Sequence, residues 1–243
     1  MIQGHCKATG SLDSPGPAGM GPRWRVAQGP ACAESRAHMG SIPATKKTVL
    51  KYGCICVVGW SGFVRRTVDT LNSLMTTGTG KDIVADIQAT GKMVWITGIT
   101  QRTLRRGKGR WVAAAWEHNP AEARSQDPLP HSNGPNPGKG APGSPASWVP
   151  DKPGNGSSTT IEWDPGSGHK YTPNELIMGH ELIHARRNAR GYQLRGRDSL
   201  GQILEEVAVG GPANPTEPMT GNRLRQELSA RPGAAKLRPK VIF

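Results

Sequence analysis

His180-Glu181-Leu182-Ile183-His184 places two imidazoles four residues apart, on one face of a helix, close enough to share one metal ion. Glu181 then sits one step round the helix, beside that ion. With two neutral histidines and one further protein ligand, zinc keeps an open position for water, lowers the pKa of that water from about 15.7 towards 7, and polarises a carbonyl. A carboxylate beside the water can take its proton and pass it to a leaving amine. These residue types match the requirements of peptide hydrolysis with a single Zn2+ and Glu181 as general base.

Two histidines do not complete such a centre, and no histidine follows His184, so the third ligand must be a carboxylate. Glu205 and Glu206 lie 21 and 22 residues beyond His184, a spacing compatible with an antiparallel neighbouring helix. On that helix Leu200, Ile203, Leu204 and Val207 set an apolar stripe. Glu206 lies nearer its edge than Glu205 at about 100° per residue, which favours Glu206 as the ligand and leaves Glu205 as the alternative or as a partner steadying a histidine ring. Asp198 and Glu217 are the next carboxylates to consider. For a donor facing a transition-state oxyanion, the sequence offers Tyr192, just past the metal helix, and Arg225.

The elements that must hold these groups can be read from period and punctuation. Thr172, Pro173 and Glu175 mark the start of the metal helix as cap, first-turn proline and capping box. Gly191 marks its end, after Arg186, Arg187 and Arg190, whose charges suit a helix C-terminus. Helices are also expected from about Ser199 to Val209 and from about Asn222 to Ala230. Upstream, Val49–Tyr52 and Cys54–Val58 read as one β-rich, largely buried strand ending at Gly59. Val64, Val68, Leu71 and Met75 then give a helical stripe, stopping near Thr77-Gly78. Thr79 with Asp82 suggests a capping box for a second helix that Gly91 closes, and Met93–Thr97 follows as a strand. Thr159–Trp163 is a further short strand, turned by Asp164-Pro165-Gly166. Trp95 and Trp163 alternate into the core, whereas His118, His131 and His169 fall in or beside Gly/Pro-rich loops and are expected to be exposed.

Composition bounds the rest. The 243 residues include 32 Gly and 21 Pro with 35% hydrophobic residues, which fits one α+β domain with non-globular tracts better than two domains. Residues 1–45 lack a sustained apolar period and read as a disordered leader, with Met20 and Met39 as alternative starts. Residues 119–158, dense in Pro and Gly, read as a flexible insertion within a domain spanning 46–243. Cys6, Cys32, Cys54 and Cys56 form no C-x-x-C pair, which argues against a disulfide framework or cysteine zinc site and for a reducing environment. No apolar run reaches the roughly 18 residues that span a bilayer, so membrane insertion is not expected, and no general secretory signal peptide is readable. The net charge of +13, with Arg102, Arg105, Arg106, Lys108 and Arg110 in one run, would suit an acidic partner. The tryptophans offer no stacking platform for single-stranded nucleic acid, so nucleic acid is not the expected ligand. The competing reading is a basic, non-enzymatic binding module in which the H-E-x-x-H is fortuitous or inactive.

Gly179-His180-Glu181-Leu182-Ile183-His184-Ala185, the Ser158–Ile161 strand and Glu205-Glu206-Val207-Ala208-Val209-Gly210 followed by Thr216-Glu217 resemble the effector-type H-E-x-x-H zinc metallopeptidases that bacterial pathogens inject through type III secretion. Ile55–Ile96, with Leu71-Asn72-Ser73-Leu74 and Gly78-Thr79-Gly80-Lys81, is similar to the upstream part of that family. The resemblance spans roughly Val49 to Arg231. It implies a single gluzincin-like metalloprotease domain with zinc on His180, His184 and one of the paired glutamates. It also implies secretion by a specialised system and action, as a monomer, on a protein in the host cytoplasm. The chain departs from the family pattern in placing Pro218-Met219-Thr220-Gly221 between Glu217 and Asn222-Arg223-Leu224-Arg225, and in lacking an Arg-x-x-Tyr after Arg231.

Overall fold

A computed structural model describes residues 24–26, 48–99, 113–124, 126, 152–194, 204–210 and 219–234. Among them, the strands are β1 (Arg25–Val26), β2 (Thr48–Tyr52), β3 (Ile55–Gly59), β4 (Val94–Gly98), β5 (Ala113–Glu117) and β6 (Thr159–Trp163). The helices are α1 (Ser61–Leu74), α2 (Gly78–Thr90), α3 (Pro120–Ala123), α4 (Asn174–Arg190), α5 (Leu204–Gly210) and α6 (Gly221–Ser229). The strands form one mixed sheet in the order β1-β2-β3-β4-β6-β5. β3, β4 and β6 run parallel through its centre, and β1, β2 and β5 are added antiparallel at the two sides. The α+β class is therefore observed.

Alternation along the central strands decides which side carries the core. Ile55 and Val57 of β3, Val94 and Ile96 of β4 and Ile161 and Trp163 of β6 share a face and join one buried cluster with Phe63, Leu71, Leu74, Ile83, Leu182 and Ile183 from the helices. Trp163 is fully buried, and its indole N–H donates to Thr67 Oγ1 at 3.2 Å, so the largest core side chain leaves no unsatisfied donor. Trp95 alternates to the opposite side of the sheet. It is half-buried and stacks on His118 at 4.8 Å, in contrast to the core position expected for it. His118 and His169 are exposed, and His131 lies outside the described residues.

Several local readings are corrected by the structure. The run from Val49 to Val58 is a hairpin, not one strand: β2 and β3 pair antiparallel with Tyr52 opposite Ile55, and Gly53 takes the positive φ of 57° that the tight reversal needs. The buried stripe of α1 consists of Phe63, Val64, Thr67, Thr70, Leu71 and Leu74, while Val68 and Met75 stand at its margin. Thr77, not Thr79, caps α2 by accepting from the Gly80 N–H at 2.9 Å; Thr79 is instead bound by Glu227 of α6, with its hydroxyl at 2.7 Å. The metal helix has Pro173 at its N-cap without a side-chain cap, so Thr172 does not cap it. Its first-turn Glu175 accepts from the Ser73 hydroxyl at 2.6 Å rather than closing a capping box.

The ends of the Pro/Gly-rich tract are structured. Asn119 caps α3 through its side chain, and Gly156 N–H donates to Glu122 O at 2.9 Å while Ser157 N–H donates to Asn188 O at 2.8 Å, which fastens both ends to the last turn of α4. Trp24–Val26 likewise depart from the leader reading: β1 pairs with β2, and Trp24 Nε1 donates to Asn72 Oδ1 at 3.1 Å. The remainder of residues 1–45 and most of 119–158 lie outside the described residues, as does the basic run from Arg102 to Arg110. Cys54 and Cys56 are buried thiols outside any disulfide among the described residues. No helix among the described residues is long and apolar enough to cross a membrane.

Candidate metal centre

The helix α4 lies against β5, β6, α1 and α2, and so is held on several sides before any ligand is considered. Leu176, Ile177, Met178, Leu182, Ile183 and Ala185 are buried and fix its rotation about its own axis. Gly191 ends it at φ 71°, and the Tyr192 N–H donates back to Arg187 O at 2.8 Å, a left-handed cap that a β-carbon would strain. Gly179 allows a second close approach: a β-carbon there would stand 2.5 Å from Leu224 Cδ1, so its absence lets α6 lie tight against the turn that carries the first histidine.

His180 and His184 project from α4 with ring centroids 4.9 Å apart and planes nearly perpendicular. Glu206 of α5 reaches between them, Oε2 lying 3.4 Å from His180 Nε2 and Oε1 3.3 Å from His184 Nε2. Donor atoms of the three residues all lie within 4.8 Å of one another. Two ligands each about 2.0 to 2.1 Å from a tetrahedral ion stand roughly 3.3 to 3.4 Å apart, a spacing that each imidazole nitrogen keeps from a different oxygen of the carboxylate, and the N2O donor set suits zinc. Hydrogen bonds to His180 and His184 hold the Glu206 carboxyl well below the usual carboxylate range, ahead of the opposing effect of its partial burial.

Glu205 faces the other way. Its carboxylate is buried, accepts from Arg187 Nε at 2.9 Å and from the Leu194 N–H at 2.7 Å, and lies 3.7 Å from His184 Nδ1. Burial acts to raise its pKa, but the Arg187 charge and the contact with His184 outweigh this and leave it lowered. Glu205 thus braces the ring nitrogen of His184 that faces away from Glu206. For His184, burial disfavours the charged ring, yet hydrogen bonds to Glu205 and Glu206 prevail and push its pKa up to about 10. Glu205 is the more buried of the pair, although the apolar stripe favoured Glu206, while Glu206 is 44% exposed and is the one that groups with the two imidazoles. Ala208 and Val209 anchor α5, whereas Leu200 and Ile203 of the expected stripe lie outside the described residues.

Glu181 is buried on the β5 side of α4, where its carboxylate accepts a backbone hydrogen bond from Ala115. Burial raises its pKa against the lowering pull of His180 and His184. A cavity of about 230 Å3 opens beside Glu181 and His180, lined by Ala113, Leu176 and Ile177 and by Asn222 and Arg225 of α6. Of the two candidate oxyanion donors, Arg225 is brought to this cavity. Tyr192 is not: it follows the far end of α4, eight residues beyond His184 and so about 12 Å further along the axis. Its carbonyl accepts from Arg187 Nη2 at 2.7 Å.

A metal-ligand constellation of this kind, set on a helix against a mixed sheet, coincides with a match over residues 53–232 to the family model of M91 peptidases, described as effector proteins. The chain belongs to the M91 peptidase family. The matched region of this M91 effector runs from the β2–β3 turn to just past α6, so it contains α4, α5, α6 and every residue of the candidate centre. No curated protein matches the chain.

Two contributors to the centre were not assigned from sequence. Arg187 was read as a charge complementing the helix end, yet it is buried and holds Glu205; its position three residues after His184 places it on the histidine face, which was the available signal. β5 was not expected as a strand at all, because Ala113-Ala114-Ala115 carries neither β-branching nor alternation.

Proposed function

We propose that this M91 effector is a zinc-dependent endopeptidase, delivered by type III secretion and acting on a protein of the host cell. Family membership supports peptidase chemistry and an effector role. The observation that carries the zinc reading is the 3.3 and 3.4 Å spacing of the Glu206 carboxylate from the two imidazole nitrogens. His180, His184 and Glu206 would hold the ion. Zinc bound there supplies a water of lowered pKa and a Lewis acid for the scissile carbonyl.

The chain's own residues account for the remaining chemistry. Glu181, next to His180 and raised in pKa by burial, is suited to accept a proton from the attacking water and to return it to the departing amine. The backbone N–H of Ala115 orients its carboxylate. Glu205, itself fixed by Arg187 and Leu194, holds the His184 ring so that Nε2 faces Glu206.

Glu181→Gln preserves size and helix propensity while removing the base. Cleavage of the native substrate is expected to fall at least about 100-fold with zinc content unchanged. Comparison of new protein termini in host lysate treated with either form identifies the substrate and reads the loss together. Undiminished cleavage by the variant would exclude the assigned base.

A further inference from the structure

Arg225 is half-buried, lines the cavity beside His180 and Glu181, and makes no ion pair among the described residues. Four other half-buried or buried arginines are matched: Arg187 by Glu205, Arg186 and Arg190 by Asp86, and Arg231 by Glu175. Even Arg223, two residues earlier and exposed, lies 3.3 Å from Glu227. Burial lowers the pKa of Arg225 with no carboxylate to offset it, although the group stays fully charged at neutral pH. A charge held partly out of water without a partner loses solvation that a partner arriving from outside would offset.

The shape of the cavity indicates what that partner is. Its 230 Å3 falls below the roughly 300 to 1,000 Å3 usual for small-molecule sites, so it offers room for a side chain rather than a cofactor. Ala113, Leu176 and Ile177 give it an apolar lining, and Arg225 lines it as well. A side chain with an apolar stem and an anionic head suits both the apolar lining and the arginine, and glutamate is the natural residue of that form. We propose that Arg225 is a specificity-determining residue that pairs with a substrate glutamate next to the bond to be cut. Leu224, packed against Gly179, fixes the distance between that arginine and the histidine turn.

This inference rests on the peptidase reading, and the test separates the two. Short acetylated and amidated peptides, identical except for Glu or Gln at each position in turn, are bound to the zinc-loaded Glu181→Gln form, so that affinity is read without turnover. At one position Glu is expected to bind on the order of 10-fold more tightly than Gln, the scale of a charged hydrogen bond at a partly exposed site. Adding Arg225→Gln should abolish the difference, and Arg225→Lys should retain part of it. In the active enzyme, Arg225→Gln should bring kcat/KM for the two peptides to the same value. Equal binding of Glu and Gln peptides at every position would overturn the proposal. So would an equal fall in kcat for both peptides with their ratio preserved, which marks an oxyanion donor. If no peptide is cleaved by zinc-loaded wild type while the Glu preference in binding persists, the peptidase reading fails and the recognition site stands.

Discussion

The adjacent glutamates of α5 invite a paired experiment, because the structure gives them opposite consequences. Glu205→Gln is close to isosteric and leaves an acceptor for the Leu194 N–H, but it removes the charge opposite Arg187, whose side chain is only 4% exposed. Breaking a buried ion pair from one side costs about 3 to 5 kcal/mol. Arg187 keeps its hydrogen bond to Tyr192 O, so the lower end, about 3 kcal/mol, is expected. For a domain of this size that corresponds to a fall in Tm of roughly 6 to 12 °C. Zinc should still bind, about 10 to 100-fold more weakly, since Glu205 only braces His184. Glu206→Gln should do the reverse. Its carboxylate is 44% exposed, so solvent screens its contacts with the histidines and the metal-free protein should lose at most about 1 kcal/mol. Zinc affinity should fall by more than in the Glu205 variant. Thermal unfolding in chelator gives the first quantity, and competition with a chromophoric zinc chelator gives the second. Wild-type zinc affinity in Glu206→Gln, or an unchanged metal-free Tm in Glu205→Gln, would refute the division of labour.

Two further outcomes test the frame around the centre. Trp24→Ala removes the hydrogen bond to Asn72 and the ring contact with Tyr52 at 5.6 Å, and should cost about 1 to 3 kcal/mol in chemical denaturation; no change would mean that β1 contributes nothing to the sheet. At Asp86, burial acts to raise the pKa, but hydrogen bonds from Arg190 and Arg186 prevail and hold it below its ordinary value of 3.8. A depressed folded pKa gives stability that is complete above the unfolded value and is lost as pH falls through the folded one, so the Tm gap between wild type and Asp86→Asn should be full at neutral pH and close only below about pH 4. A gap that persists undiminished into stronger acid would assign the effect to packing.

Features set by local chemistry were legible in the sequence. The ends of α4 and α2 at Gly191 and Gly91 follow from a backbone that must turn left-handed, and glycine does this at little cost whatever surrounds it. The helix N-termini were less legible because their polar groups have competing tertiary uses. Glu175 looked like half of a capping box but is drawn to Ser73 and Arg231 across the helix interface. Thr79 looked like a cap but is held by Glu227, 148 residues away in the chain, which no local pattern reveals. β5 escaped for a related reason. Its alanines suit a helix in isolation, and it is a strand because β6 offers an edge to pair with and α4 needs small side chains beneath it.

The centre itself divides along the same line. His180, Glu181 and His184 are fixed relative to one another by helical geometry alone, so their spacing was sufficient to place them. Glu205 and Glu206 depend on the approach of a second helix, and there the apolar-stripe argument selected Glu206 for burial that Glu205 has. On the proposed reading the ligand carboxylate stays near solvent, because the position it faces would also admit water and a peptide, while the bracing carboxylate is enclosed with an arginine beside it. Burial then goes with the bracing residue and partial exposure with the proposed ligand. The same reasoning explains Arg187 and Arg225, two arginines of one basic chain with opposite surroundings: one is enclosed with its own glutamate, and the other stands unpaired at the cavity where a substrate would supply one.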